Sequence, residues 1–200
     1  MDQKKALSTI QSYVNSHFGT DPSGHDYGHM KRVAQWSRKL ARKEGADPFL
    51  CEVMGWVHDI GDPKLFDYPK HAKEKLTSLL IELGFTKETT DEIRSVMDRV
   101  SFRKGQVPYS LPGQIVQDAD RLDAMGAIGI ARTFAYGGSR GQMILSDHQQ
   151  TANSIQHFYD KLLKLSSLMN TDAGRQEAEQ RHQFMLEFLE QFHQETNIQR

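Results

Sequence analysis

Apolar positions along the chain recur at helical spacing almost throughout. Leu7, Ile10, Tyr13, Val14 and Phe18 fall three or four residues apart and predict a first helix that stops at Gly19, before Asp21-Pro22-Ser23-Gly24. A second helix is expected from about Tyr27 to Glu44, with Val33, Trp36, Leu40 and Ala41 inward and Gly45 as its C-terminal stop. Asp47-Pro48 caps and starts a third, because proline is tolerated in a first helical turn. This third helix, Phe49 to about Ile60, is apolar nearly all round through Leu50, Val53, Met54, Trp56, Val57 and Ile60, and so belongs in the centre of a domain.

Gly61-Asp62-Pro63 ends it. Further helices are predicted at Lys70–Leu83 and Lys87–Val100, followed by a turn-rich stretch from Gly105 to Gly113 that holds Pro108 and Pro112. Ile115, Val116, Ala119 and Leu122 mark another helix, and the small-residue segment 124–131 packs close to it or continues it. Gly137-Gly138 is expected to break the chain before a polar loop. Two amphipathic helices, about Thr151–Leu168 and Asp172–Phe192, complete the pattern. No alternating strand pattern, repeat or low-complexity segment stands out. The fold class read from the pattern is all-α: a compact, single-domain helical bundle over residues 1–200, with C-terminal helices at about 151–193 packing on the rest.

Composition narrows the chemistry. Lys+Arg 25 against Asp+Glu 26 leaves a net charge of -1, so no global excess points to a nucleic acid polymer or an anionic membrane. Cys51 is the only cysteine, which excludes an internal disulfide and a zinc–thiolate cluster; its apolar neighbours mark it as a small core residue. The N-terminal stretch 1–18 lacks the apolar core of a secretory signal, and no apolar run reaches the ~20 residues of a membrane helix. A cytoplasmic location is the expectation.

Against this ordinary background, His58-Asp59 is unusual. Two ionisable residues sit within the most hydrophobic predicted helix, where an unpaired charge is costly. A divalent cation would satisfy both, and neighbouring helical residues diverge by roughly 100°, enough to flank one ion. An imidazole nitrogen and a carboxylate oxygen suit Mn²⁺, Fe²⁺, Co²⁺, Ni²⁺ or Zn²⁺. His29 opens the second helix and is a further candidate ligand; Arg32, one turn on, would face a phosphate at that helix start. Near the apolar stripe of Val116, Ala119 and Leu122, the carboxylates of Asp118, Asp120 and Asp123 compete for one more ligand role, and spacing does not choose among them.

The order His29, His58-Asp59, Asp120 is similar to the H…HD…D signature of the HD superfamily. The surrounding words are more specific: GHDYGHMKRV (24–33), WVHDIGDPK (56–64), VSFRKG (100–105) and IVQDADRLDAMGAIGIARTFAYGG (115–138). Together they resemble the bacterial YpgQ/YedJ-like group of HD hydrolases over most of the chain. The resemblance implies an HD-type bundle with its ligand-bearing core at about 24–138, and Asp120 as the ligand aspartate. It also implies a divalent-metal-dependent phosphohydrolase acting on nucleotides, releasing pyrophosphate from nucleoside or deoxynucleoside triphosphates. Binuclear members carry two more histidines between the HD pair and the last aspartate; this chain has only His71 there, so one ion is expected. Mn²⁺ is the first choice, with Ni, Co, Fe, Mg and Zn as alternatives. A nucleotide-sensing module with little turnover and a di-iron oxygenase are the rival functions.

Phosphoryl transfer needs positive charge around the non-bridging oxygens. Arg32, Lys64, Arg121 and Arg132 lie in or beside the matched words, and His71 between Lys70 and Lys73 is a further phosphate candidate. Lys64 is placed just past the HD pair, and Asp62 in the same turn is the first choice of base or proton relay. Asp26 could orient His29 or His25 as an acceptor. No P-loop motif occurs, so metal and side chains would grip the phosphates. Phe66 and Tyr68 are the expected base-stacking residues, ahead of Tyr27, Trp56, Phe102, Phe134 and Tyr136. The expected partner is a small-molecule nucleotide, with a homodimer as an option for the amphipathic C-terminal helices.

Overall fold

The structure, a computed structural model, describes residues 1–19, 26–100, 106–146 and 153–196. Every regular element among the described residues is helical, in agreement with the all-α expectation. The chain falls into two compact units, 1–120 and 121–200.

In the first unit, α1 (Gln3–Phe18) starts on Asp2, whose carboxylate accepts the Lys4 and Lys5 N–H groups that no helical carbonyl can reach. The second helix, α2 (Tyr27–Glu44), ends on Gly45 at φ 72°, a left-handed geometry that suits glycine. After it, α3 (Pro48–Val57) begins as the sequence indicates: Asp47 accepts from Phe49 N and Leu50 N, and Pro48 takes the first turn. Then follow α4 (Pro69–Glu82), α5 (Lys87–Arg99) and α6 (Leu111–Asp123), the last crossing into the second unit.

The core of this unit gathers around α3, which packs against α1, α2 and α5. Ile10, Met30, Val53, Met54, Val57, Ile60, Leu76, Leu80 and Ile93 are fully enclosed. One glycine makes the α2–α3 approach possible. A Cβ on Gly55 would lie 2.7 Å from Ala34 Cα and 2.9 Å from Ser37 Oγ, so a larger residue would push the two backbones apart.

Three expectations are corrected. The third helix ends at Val57, not near Ile60, and the HD pair lies in the turn beyond it. Tighter bonds take over there, from Ile60 N to Val57 O and from Asp62 N to Asp59 O, and Gly61 at φ 74° redirects the chain. Gly137-Gly138 lies inside the last turn of α7 (Gly126–Ser139), which is separated from α6 by Ala124-Met125. The segment expected as one helix to Leu168 is a short helix, α8 (Ser154–Asp160), followed by 3-10 turns at Leu162–Lys164 and Ser166–Leu168. In the second unit α7 packs on α8 and on α9 (Asp172–Thr196), joined by Phe134, Phe158 and Phe188.

Candidate metal centre

Side chains from the start of α2, the turn after α3 and the part of α6 within the first unit meet at one point. His29 sits in the first turn of α2, where Asp26 Oδ1 accepts its backbone N–H at 2.7 Å. The cap fixes the turn from which the imidazole projects, so Asp26 orients His29 through its backbone. His58 follows the last residue of α3, and its Nδ1–H donates to Gly55 O at 2.8 Å. That bond sets the tautomer of the neutral ring, in which Nε2 carries the lone pair, and it directs Nε2 at the cluster. Asp59 is the next residue in the turn, and Asp120 comes from α6, three residues beyond Gln117. The buried Gln117 amide anchors α6 by donating to the carbonyls of Arg99, Val100 and Gln106.

The four side chains converge. Asp59 Oδ2 lies 3.4 Å from His58 Nε2 and 3.7 Å from His29 Nε2. Asp120 Oδ1 lies 3.6 Å from His29 Nε2 and 3.8 Å from His58 Nε2. The two imidazole rings meet edge to face at 5.2 Å. Metal–ligand bonds of about 2.1 Å put neighbouring donor atoms about 3.0–3.4 Å apart; the ligand atoms of His29, His58 and Asp120 lie within 4.8 Å of one another, so these three could close on one divalent ion, with Asp59 beside both histidines. The buried His58 Nε2 has no aligned hydrogen-bond partner, and a buried polar atom left unsatisfied in a core is what a cation would satisfy, in place of a proton. His29, His58 and Asp120 form the one such group of three found among the described residues.

Electrostatics agree with the geometry. Burial opposes a charge on His58, but the Asp59 and Asp120 carboxylates and the Gly55 carbonyl outweigh it and raise its pKa to about 9. The imidazoles are sealed, with side chains 0% and 1% exposed, whereas Asp59 and Asp120 are 14% and 27% exposed. The carboxylates therefore form the outer side of the cluster, where a substrate would arrive.

Of the competing aspartates, Asp123 is committed elsewhere, pairing with Arg132 Nη1 at 2.6 Å, and Asp118 is fully buried away from solvent. Asp120 alone of the three joins the histidines. The expected phosphate and proton-handling residues are less concentrated. Asp62 and Lys64 share the turn after the HD pair, where Asp62 Oδ1 accepts the Lys64 backbone N–H at 2.8 Å and the Lys64 side chain is exposed. Arg32 folds back over the first turn of α2: its Nη1 lies 3.1 Å from the position a Cβ on Gly28 would take. His71 is exposed on α4 and does not join the cluster.

Arg121 and Arg132 belong to the second unit, where Arg121 donates to Leu168 O and Arg132 holds Asp123. Phe66 packs against Phe18 and His17, and Tyr27 lies on Trp56, so neither is an open platform; Tyr68 is 77% exposed. His25 and Phe102 lie outside the described residues. Gly55 was not anticipated, although a glycine inside an otherwise apolar helix is itself a signal of close packing.

A helical core that delivers histidine, histidine-aspartate and aspartate to one point, in that chain order, defines a class. The family model of the HD domain matches residues 26–125, and the chain belongs to that family, whose hydrolases are metal-dependent phosphohydrolases. Among particular relatives, YpgQ of Bacillus subtilis (strain 168) is 40% identical over 195 residues, spanning 96% of this chain and 94% of that protein. The crystal structure of Bacillus subtilis YpgQ in complex with ADP is similar, with a TM-score of 0.82 at 38% identity, covering 95% of this chain and 97% of that one. An HD-superfamily hydrolase from Bacillus thuringiensis gives a TM-score of 0.83 at 38% identity, covering 98% and 100%.

Proposed function

We propose that this chain hydrolyses nucleoside or deoxynucleoside triphosphates with release of pyrophosphate, using one divalent ion, Mn²⁺ in the first instance. The observation that carries the reading is the convergence of His29 Nε2, His58 Nε2, Asp59 Oδ2 and Asp120 Oδ1, with His58 held by Gly55 O in the tautomer a metal requires. ADP in the YpgQ crystal structure supports a nucleotide as the ligand class. No helix among the described residues is long and apolar enough to cross a membrane, and the proposed substrate is a free nucleotide met in the cytoplasm.

When bound, such an ion supplies a water of lowered pKa and polarises a phosphoryl oxygen. The remaining work falls to side chains. Lys64, exposed immediately beyond the HD turn, is the proposed group that neutralises a substrate phosphate. Asp62, in the same turn, is the proposed proton acceptor, with one oxygen also fixing the turn through Lys64 N–H. Arg32, His71, Arg121 and Arg132 remain proposed phosphate contacts.

The test is to strip the protein of metal, restore Mn²⁺, Co²⁺, Ni²⁺, Mg²⁺ or Zn²⁺ in turn, and follow phosphate and pyrophosphate from a nucleotide panel. The expected outcome is pyrophosphate from triphosphates with Mn²⁺, abolished in His58→Ala. Tight nucleotide binding without release under any metal would replace the reading with a sensing module, and oxygen consumption with iron would replace it with an oxygenase.

A further inference from the structure

The structure assigns a positioning role to Arg181, on α9, which clamps the C-terminal end of α6 and thereby fixes the turn that presents Asp120. The assignment rests on the reading of Asp120 as a metal ligand. Asp120 lies in the final turn of α6, the part of a helix whose carbonyls lack helical partners and which frays most readily. Upstream, Gln117 anchors the helix by its three carbonyl contacts. Downstream, the end is closed by backbone bonds from Ala124 N to Arg121 O and from Met125 N to Leu122 O, together with two guanidinium groups. Arg181 Nη1 donates to Leu122 O, two residues past Asp120, and Arg132 Nη1 donates to Asp123 O. Positive charge at a helix C-terminus is also favoured by the helix dipole.

Arg181 is built into this place rather than resting on it. Glu177, one turn earlier on α9, accepts from Arg181 Nε at 3.3 Å and Nη2 at 3.2 Å, which leaves Nη1 to Leu122 O. The pair is largely enclosed, with side chains 17% and 20% exposed. Gly126, at φ 65°, admits the arginine stem: a Cβ there would stand 3.2 Å from Arg181 Cγ and 3.3 Å from its Cβ. Glu177, Arg181, Gly126 and Leu122 O thus form a single device on the helix that carries the ligand. The C-terminal helix, outside the matched residues 26–125, in this way holds the end of the helix that carries Asp120.

Mn²⁺ titration by calorimetry tests this on metal-free Arg181→Met, Arg181→Lys, Glu177→Gln and Asp120→Asn, with thermal unfolding of each as a control. Arg181→Met, which keeps the stem and removes the donors, is expected to bind Mn²⁺ about tenfold more weakly, the lower range for loss of a group supporting a ligand. Arg181→Lys, still able to donate to Leu122 O, should recover part of the affinity, and Glu177→Gln should fall between. Wild-type affinity in Arg181→Met, with Asp120→Asn impaired, would overturn the positioning role alone. Wild-type affinity in Asp120→Asn would overturn the metal-site reading itself. If Arg181→Met does not fold, Glu177→Gln decides: weakened binding supports the role, and unchanged binding overturns it.

Discussion

The ends of α3 and α6 both deliver candidate ligands, but different forces hold them. The end of α3 is fixed by exclusion of water and close backbone approach: Val57 and Ile60 are sealed, Gly55 lies against Ala34, and Gly61 turns the chain where a side chain would collide with Pro69 O and Lys73. The end of α6 is fixed by charge-assisted hydrogen bonds from Arg181 and Arg132 to the carbonyls of Leu122 and Asp123. Hydrophobic packing holds His58 in a buried interior, with Nε2 directed at Asp59 and Asp120. Polar clamping places Asp120 at the wetter margin. Substitutions on the α3 side should therefore cost stability and metal binding together, whereas substitutions on the α6 side should cost metal binding first.

The largest effect is expected for His58→Ala. Loss of the imidazole removes a donor and leaves Asp59 and Asp120 facing each other across a gap, so Mn²⁺ affinity should fall by more than about 100-fold, beyond the range for supporting residues. Calorimetry of the metal-stripped protein checks this, and near-normal binding would break the α3 half of the comparison. Next comes Gly55→Ala. Its methyl would meet the Ala34 backbone at 2.7 Å, and the resulting separation of α2 and α3 should lower stability by about 1–3 kcal/mol. The backbone carbonyl of residue 55, which accepts from His58 Nδ1, is kept but would shift with the separating backbone. Thermal unfolding with and without Mn²⁺ should show losses of both stability and metal binding; a variant with wild-type stability would show that α2 and α3 do not depend on this close approach.

A smaller effect concerns protons. The metal-free protein holds His58 with a pKa raised from 6.5 to about 9, so its protonated form stabilises the fold fully below about pH 6.5, and that contribution fades as pH rises through about 9. A metal takes the neutral imidazole. Mn²⁺ binding at pH 7 should therefore release about one proton from His58, and affinity should rise with pH until about 9. Calorimetry in buffers of different ionisation enthalpy measures the release; no buffer dependence would show that His58 is not displaced from its proton by the ion.

Much of this architecture was legible in the sequence because helices with one buried stripe announce themselves. The limits of α2 coincide with those expected from Tyr27, Glu44 and Gly45. The end of α3 was misplaced for a physical reason: Ile60 is buried in a turn as thoroughly as it would be in a helix, so periodicity ran on past Val57. His58-Asp59 stood out as two ionisable groups among apolar neighbours. Asp120 did not, because Asp118 and Asp123 share its segment and are in fact more deeply buried. Only the family words pointed to it. The arginine pairings were beyond reach, since Arg132–Asp123 and Arg181–Leu122 O join positions that no local period relates.

Anomalous scattering from crystals reconstituted with Mn²⁺ tests the central claim most directly. The account predicts one peak per chain, within about 2.0–2.3 Å of His29 Nε2, His58 Nε2 and the near oxygens of Asp59 and Asp120. Two peaks at this site, or one whose ligands omit Asp120, would contradict it.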